Sequence, residues 1–120
     1  MNWQTIYTHL KNNGFAVYSL GQHEGKCTSP YLVLRNNGAI LNQSLIGQEY
    51  EILLYYPKDR YSEFEGYIER VKQAMNALYP SLRLEDAEQP HFLDDDVEGY
   101  MTGLIYRVWK PHNLNRVRKD

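Results

Sequence analysis

The sequence predicts an α+β domain in which a mostly antiparallel sheet packs against two helices, in the order α-β-β-β-α-β-β. Apolar residues recur at helical spacing in two segments, whereas the intervening and final segments are β-branched and aromatic runs that stop at glycine or proline. A chain of 120 residues, 42% of them apolar, suits a single domain over 1–120. Within it, residues 112–120 are expected to form a flexible or partner-ordered tail.

Both helices are predicted from apolar stripes with end signals. The first stripe recurs at i, i+3, i+4 and i+7: Trp3, Ile6, Tyr7 and Leu10. Asn2 is suited to cap its first turn, and Gly14 suits the left-handed conformation that ends a helix. For the second helix, Ser62 and Glu65 form a capping-box pattern, and the apolar repeat continues until Pro80. Its members are Phe64, Tyr67, Ile68, Val71, Met75 and Leu78.

Strands are predicted at 15–20, 31–35 and 49–57, and after the second helix a weak strand at 82–85 and a long one at 99–110. In the strands at 49–57 and 99–110, apolar side chains alternate onto both faces of the sheet. Two helices can cover only one face. We therefore expect the sheet either to curl on itself or to meet a neighbouring chain, and the eleven tyrosines suit a protein interface.

Residues 36–48 interrupt the strand pattern with asparagine and glycine, which favours a loop. This loop nevertheless carries an unusual number of aliphatic residues for an exposed segment. They are Ile40, Leu41, Leu45 and Ile46. We expect the loop to be mobile in the isolated chain and to become ordered against a partner in an assembly.

The formal charge of −2 hides an uneven distribution. Seven acids and no base occupy residues 85–98: Glu85, Asp86, Glu88, Asp94, Asp95, Asp96 and Glu98. Five bases and no acid follow: Arg107, Lys110, Arg116, Arg118 and Lys119. The bases could neutralise phosphates, and Tyr106 and Trp109 could stack on nucleic-acid bases. Because the acids directly precede the bases and the pI is near 6.1, a protein contact is the favoured interpretation.

Three groups of side chains invite a chemical interpretation. His91 with Asp94–Asp96 offers metal-ligand types, but three adjacent aspartates converge poorly on one ion. His23 and Cys27 could pair as base and thiolate, yet no third orienting group is marked. Glu63, Glu65 and Glu69 suit a charged helix face. We interpret all three groups as structural or surface features and predict no metal, no cofactor and no catalytic residue.

Other function classes are excluded by missing signatures. The sequence contains no glycine-rich nucleotide motif, no nucleophile elbow and no CxxC pair, so we predict that the protein is not an enzyme. Its single cysteine allows no intrachain disulfide, and no segment approaches the roughly 20 apolar residues of a membrane span. The N-terminal residues do not form a secretory signal, which favours synthesis in the cytoplasm without a membrane partner.

The chain resembles the tail terminator proteins of long-tailed bacteriophages. The resemblance covers nearly the whole sequence and rests on element order together with "SPYLVL", a long loop, "YEILLYYP", the helix "YSEFEGYIERVKQAM" and the closing "GLIYRVWK". Such proteins form hexameric rings that cap the finished tail tube, stop its polymerisation and provide the surface that joins the head connector. Relatives serve contractile tails and phage-derived bacteriocins.

The resemblance implies a structural ring subunit in the tail of a virion or phage-like particle, assembled in the cytoplasm of the host bacterium. Its implied partners are further copies of the chain, the tail tube, the sheath of a contractile tail and a head-tail connector or neck protein, with DNA merely passing through the ring. The alternatives are another neck component, such as a head-completion protein or connector adaptor, and, less favoured, a small RNA-binding module or an enzyme.

For the contacts between subunits, we expect the acids Asp94–Asp96 and Glu98 to face bases of an adjacent copy. Adjacent aspartates splay apart, which suits several separate partners across a seam. The expected partners on the adjacent copy are Arg107, Lys110, Arg116 or Arg118. The aliphatic residues of 36–48 are expected to lie in an interface with a neighbouring subunit or the tube.

Overall fold

A computed structural model describes residues 1–42, 44–85 and 88–111. It contains two helices, α1 (Trp3–Asn12) and α2 (Tyr61–Asn76). The strands are β1 (Val17–Tyr18), β2 (Tyr31–Asn42), β3 (Leu45–Pro57), β4 (Arg83–Leu84), β5 (Phe92–Asp94) and β6 (Gly99–Pro111). They form one sheet in the order β1-β2-β3-β6-β4, with β5 also paired to β6. The pair β1–β2 is parallel and the other pairs are antiparallel, so the predicted α+β class is confirmed.

Both helices pack on one face of the sheet, here called the helix face. Its core combines the helix stripes with alternate strand residues, as their periodicities predicted. The fully buried members include Ile6, Leu10, Leu32, Leu34, Ile52, Leu54, Phe64, Ile68, Met75 and Leu104. Two hydrogen bonds fix the position of α1: Trp3 Nε1 donates to the Leu34 carbonyl at 2.8 Å, and the His9 ring N–H donates to the Ala74 carbonyl at 2.7 Å.

The opposite face of the sheet, here called the open face, carries the alternate strand residues. Leu53 and Tyr55 on β3 and Met101 and Ile105 on β6 are all half-buried, and Val33 on β2 lies beside Leu53. Apolar side chains therefore occur on both faces, as predicted for β3 and β6. Both helices contribute to the core on the helix face.

The two helix starts differ from each other in their capping. Asn2 caps α1 as predicted, because its Oδ1 accepts from the Thr5 backbone N–H at 2.8 Å. The predicted capping box of α2 is wrong: the helix begins at Tyr61, its cap residue is Arg60, and no side chain caps it. Ser62 is thus already inside the first turn, because burial of Phe64, rather than a local cap, determines where this helix starts.

The loop predicted at 36–48 is also wrong, because β2 and β3 stay paired out to Asn42 and Leu45. A bulge between Asn36 and Gly38 admits the glycine at a φ of +90°. There Asn36 Oδ1 accepts from the Gly38 backbone N–H at 2.8 Å. The asparagine and glycine that favoured a loop therefore serve a bulge inside a long strand, and pairing with β3 overrides the weak local strand propensity.

The remaining strands agree with the prediction in position and differ in length. At 15–20 the strand shrinks to β1, and at 82–85 it shrinks to β4. No strand was predicted between 86 and 98, but residues 92–94 of this acidic segment form β5, which pairs with the start of β6. Three residues are too short to show a periodicity in the sequence, so only the pairing reveals this strand.

Two glycines give a matched prediction for stability. Gly66 lies on the exposed side of α2, where a Cβ would come no closer than 3.8 Å to the Arg70 guanidinium. Gly66→Ala should therefore raise the free energy of unfolding by about 0.5–1 kcal/mol, since alanine loses less backbone entropy in a helix. At Gly99 a Cβ would lie 2.8 Å from the Cys27 Cβ and 3.1 Å from the Tyr56 carbonyl. Gly99→Ala should lower the free energy of unfolding by about 1–3 kcal/mol. Urea titration measures both changes in stability. Equal effects of the two substitutions would contradict the close packing at Gly99.

Candidate interaction surfaces

At the edge of the core the long strands continue as a three-stranded arm, defined by residues 36–42 of β2, 45–49 of β3 and 107–111 of β6. The strand residues of the core end at Tyr50 and Val108. Past them, Ile40, Leu41 and Leu45 are exposed and Ile46 is half-buried. The four aliphatic residues predicted for an interface thus come together at the end of this arm, here called the arm tip.

Side chains of the arm tip are arranged in rows across the three strands. Leu41 pairs with Ile46, and Ile46 pairs with Lys110, so these three share one face. Ile40, Gly47 and Trp109 form the next row on the other face. There the Trp109 ring lies so close to Gly47 that a Cβ at residue 47 would be 2.8 Å from it. The arm tip is therefore apolar on both sides, with Lys110 at the edge of one row.

The acids predicted for a contact form a turn, here called the acidic turn and defined as residues 94–98. It joins β5 to β6, and Asp94 Oδ1 accepts from the Asp96 backbone N–H at 3.0 Å. Asp95 and Asp96 are exposed. Glu98 differs from them because its carboxylate lies 2.7 Å from Lys26 Nζ, and this hydrogen bond holds the Glu98 pKa below its usual value.

The acidic turn and the arm tip lie at opposite ends of β6. Asp94 pairs with Gly99, whereas Lys110 pairs with Ile46. Eleven residues of strand at about 3.4 Å each separate the two ends by roughly 37 Å. One chain therefore cannot bring its own Asp94–Asp96 to its own Lys110. Arg116 and Arg118, the other predicted partners, lie outside the described residues.

Arg107 is held by carboxylates of its own chain on the open face. Its Nη1 donates to Glu85 Oε1 at 3.0 Å, and its Nη2 forms a close ion pair with Glu49. The hydrogen bond from Arg107 lowers the pKa of Glu49. The guanidinium also lies over the Trp109 ring, 5.5 Å from the centroid. Arg107 thus links β3, β4 and β6. Its partners Glu49 and Glu85 lie far from it in the sequence, so no local pattern could indicate this role.

A cluster that the sequence did not indicate connects α2 with the segment before β5. Tyr61 Oη lies 2.8 Å from His91 Nδ1, and His91 Nε2 lies 2.5 Å from Glu88 Oε2. Lys72 Nζ donates to the other Glu88 oxygen at 2.9 Å. Although partial burial opposes it, the hydrogen bonds from Lys72 and His91 lower the pKa of Glu88. Tyr61 and Lys72 lie on α2 and Glu88 and His91 on the segment before β5, so the contacts join two distant parts of the chain that no spacing rule relates.

The cluster borders a notch of about 220 Å³ beside the acidic turn. Its lining residues are Tyr61, His91, Phe92, Leu93 and Tyr100. Phe92 and Leu93 are exposed, with 53% and 39% of their surfaces accessible. The Tyr61 and Tyr100 rings lie 4.9 Å apart and form its aromatic wall. This notch, lined by aromatic and aliphatic side chains together with His91, lies at the end of the molecule opposite the arm tip.

The side chains that the sequence offered for catalysis, metal binding or base stacking are engaged in contacts within the fold. Cys27 is buried, and burial raises the pKa of its thiol to about 11, which disfavours a thiolate. The His23 ring stacks on the Tyr31 ring, with 3.7 Å between the ring centroids. His91 contacts Glu88 and Tyr61, and within the described ranges no group of three or more His, Cys, Asp or Glu residues is placed to hold a metal ion. Tyr106, a candidate for stacking on bases, is buried in the core.

Comparison with known proteins adds no family assignment: no protein-family model matches the sequence, and a search of curated proteins finds no significant match. Among the described residues, neither helix is long and apolar enough to cross a membrane.

Proposed function

We propose that this chain is a structural ring subunit that caps the tail tube of a phage or phage-like particle, ends its polymerisation and offers the joining surface for the head or collar. The observation that supports this most is the pair of unlike surfaces at the two ends of β6. One end carries the apolar arm tip with Lys110, and the other carries the acidic turn with Asp95 and Asp96. Closed rings are built by joining two different surfaces of each copy head to tail.

Charge complementarity favours a ring in which the acidic turn of one copy meets the arm tip of the next copy. Acids and bases that cannot meet within one chain can meet between adjacent copies, where opposite charges steer encounter and set register. Exposed ion pairs contribute only about 0–1 kcal/mol each, so apolar contacts must hold the subunits together. The ring is proposed to be a hexamer in the virion tail, assembled in the host cytoplasm, with the tube below it and a neck protein above it. A contractile tail adds its sheath as a partner.

A charge-removal variant tests the seam. Asp94→Asn, Asp95→Asn and Asp96→Asn together should leave the fold intact, because asparagine can still accept from the residue-96 backbone N–H as Asp94 does. We expect this variant to weaken ring formation and to make the remaining assembly less sensitive to salt. Light scattering across a salt series measures both effects. A control with the same charge change on the exposed side of α2 combines Glu63→Gln, Glu65→Gln and Glu69→Gln.

The function itself is tested by tail length. Particles produced without this chain should carry tails of uncontrolled length or tails that fail to join heads, and the wild-type chain should restore both properties. Electron microscopy of the particles measures this. Tails of normal length joined to heads in its absence would contradict the proposal, whereas normal tails that stay unjoined would favour a neck adaptor instead.

A further inference from the structure

We infer that the arm tip of one copy inserts into the notch beside the acidic turn of a second copy, so that each copy gives its tip to one neighbour and its notch to the other. This contact specifies how neighbouring copies meet in the proposed ring. It rests on the proposed function only for the closure of the copies into a ring. Its parts are a protruding aliphatic side chain, Leu41, and a recess of matching chemistry at the far end of the same chain.

The arm tip has the properties of an inserting surface. Leu41 is 64% exposed and lies beyond the end of the core. Its strand, β2, is paired to β3, and β3 is paired to β6. A paired three-stranded arm is stiffer than a loop, so little conformational entropy is lost when it docks. Exposed aliphatic side chains collected at one place favour an interface over free solvent.

The notch has the properties of a receiving surface. Its aromatic wall is held in place by the hydrogen bond between Tyr61 and His91 and by the contact of His91 with Glu88. Its volume of about 220 Å³ lies below the roughly 300–1,000 Å³ typical of small-molecule sites. A recess of this size, lined by exposed Phe92 and Leu93, suits one or two aliphatic side chains of a protein partner.

The charges beside the two surfaces identify the partner as a second copy in head-to-tail orientation. Leu93 in the notch directly precedes Asp94, and Leu41 shares its row with Lys110, so docking brings the acidic turn near a base. A tip-to-tip contact would instead place Lys110 against another Lys110. Unlike surfaces on one chain join in a heterologous way, and such contacts close into rings or extend into filaments.

The contact is tested by disabling each half separately. Leu41→Ser removes the inserted side chain, and Leu93→Ser removes an exposed wall of the notch, so neither change should disturb the core. Each variant alone should associate roughly tenfold to hundredfold more weakly than the wild type, because burial of one leucine is lost. Leu20→Ser is the matched control for Leu41→Ser, since Leu20 is similarly exposed at 61% and belongs to neither the arm tip nor the notch lining.

Mixing the Leu41→Ser chain with the Leu93→Ser chain distinguishes a tip-to-notch contact from a tip-to-tip contact. One intact tip and one intact notch remain in the mixture, so we expect dimers that do not grow, measured by analytical ultracentrifugation. A chain carrying Leu41→Cys mixed under oxidising conditions with one carrying Leu93→Cys should form a mixed disulfide, while buried Cys27 stays reduced. Absence of both the dimer and the mixed disulfide overturns the contact, as does a disulfide between two Leu41→Cys chains alone.

Failure of this contact and failure of the proposed ring give different results. Closed rings that form equally well with Leu41→Ser and Leu93→Ser overturn the contact and leave the ring in place. Open filaments that depend on both leucines support the contact and contradict the ring.

Discussion

Phe64→Ala should lower the free energy of unfolding by about 3–5 kcal/mol, a large share of the roughly 5–15 kcal/mol that holds an ordinary domain folded. Phe64 is completely buried on α2. Its ring lies 5.8 Å from that of Tyr56 and 5.1 Å from that of His91. Truncation therefore opens a cavity between α2 and the sheet and also loosens the wall of the notch.

Thermal unfolding followed by circular dichroism measures this effect, and we expect the midpoint to fall by more than about 10 °C. Tyr79→Ala is the control: it also removes an aromatic ring, but Tyr79 is 62% exposed and should cost little. Equal losses in the two variants would contradict the placement of Phe64 at the centre of the core.

Arg107→Ala should cost about 2–4 kcal/mol at pH 7, because Glu49 and Glu85 would then lie near each other without the cation that they share. All three side chains are less than one quarter exposed, so solvent screens the loss only partly. Arg83→Ala removes the same charge from an exposed neighbour on β4 and should have a small effect.

The cost of Arg107→Ala should depend on pH in a defined direction. The pKa of Glu49 is lowered in the folded state, mainly by its hydrogen bond to Arg107. The stability from this pair is therefore fully present above the unfolded pKa of about 4.3 and is lost as pH falls through the lower folded value. In urea titrations the difference between wild type and variant should begin to shrink below about pH 4 and shrink further as pH falls, and a difference that stays constant down to the lowest pH at which both proteins fold would contradict the assignment.

Much of the fold follows from periodicity in the sequence. The apolar spacing of Ile6 and Leu10 in α1 and of Phe64 and Ile68 in α2 determined both helices, because every third or fourth residue meets the same face. Alternation likewise determined residues 49–57 of β3 and residues 99–110 of β6. The end signals were less reliable: Asn2 caps α1, but Ser62 does not cap α2, because a local hydrogen bond is weak beside the burial of a core side chain.

The sequence singled out the residues of the arm tip and of the acidic turn, but it did not indicate the shape of the arm. The aliphatic residues from Ile40 to Ile46 were expected in an interface on a loop, and the structure places them on a paired arm. Local composition could not show this, because asparagine and glycine disfavour strands until β3 supplies hydrogen bonds across the gap. The sequence also offered Arg107 as a base for a neighbouring copy, without indicating that Glu49 and Glu85 of its own chain surround it.

What the sequence by itself determined is therefore the set of elements with a strong period, the fold class, and the separation of acids at 94–98 from bases at the end of β6. Only the tertiary structure decided which distant residues meet: the arm, the strand β5, the ion pairs of Arg107 and the notch with its Tyr61, His91 and Glu88 support. The physical reason is that periodicity reports which face of an element is buried, whereas contacts between elements depend on strand register and helix docking, to which single residues far apart in the chain contribute without a local pattern.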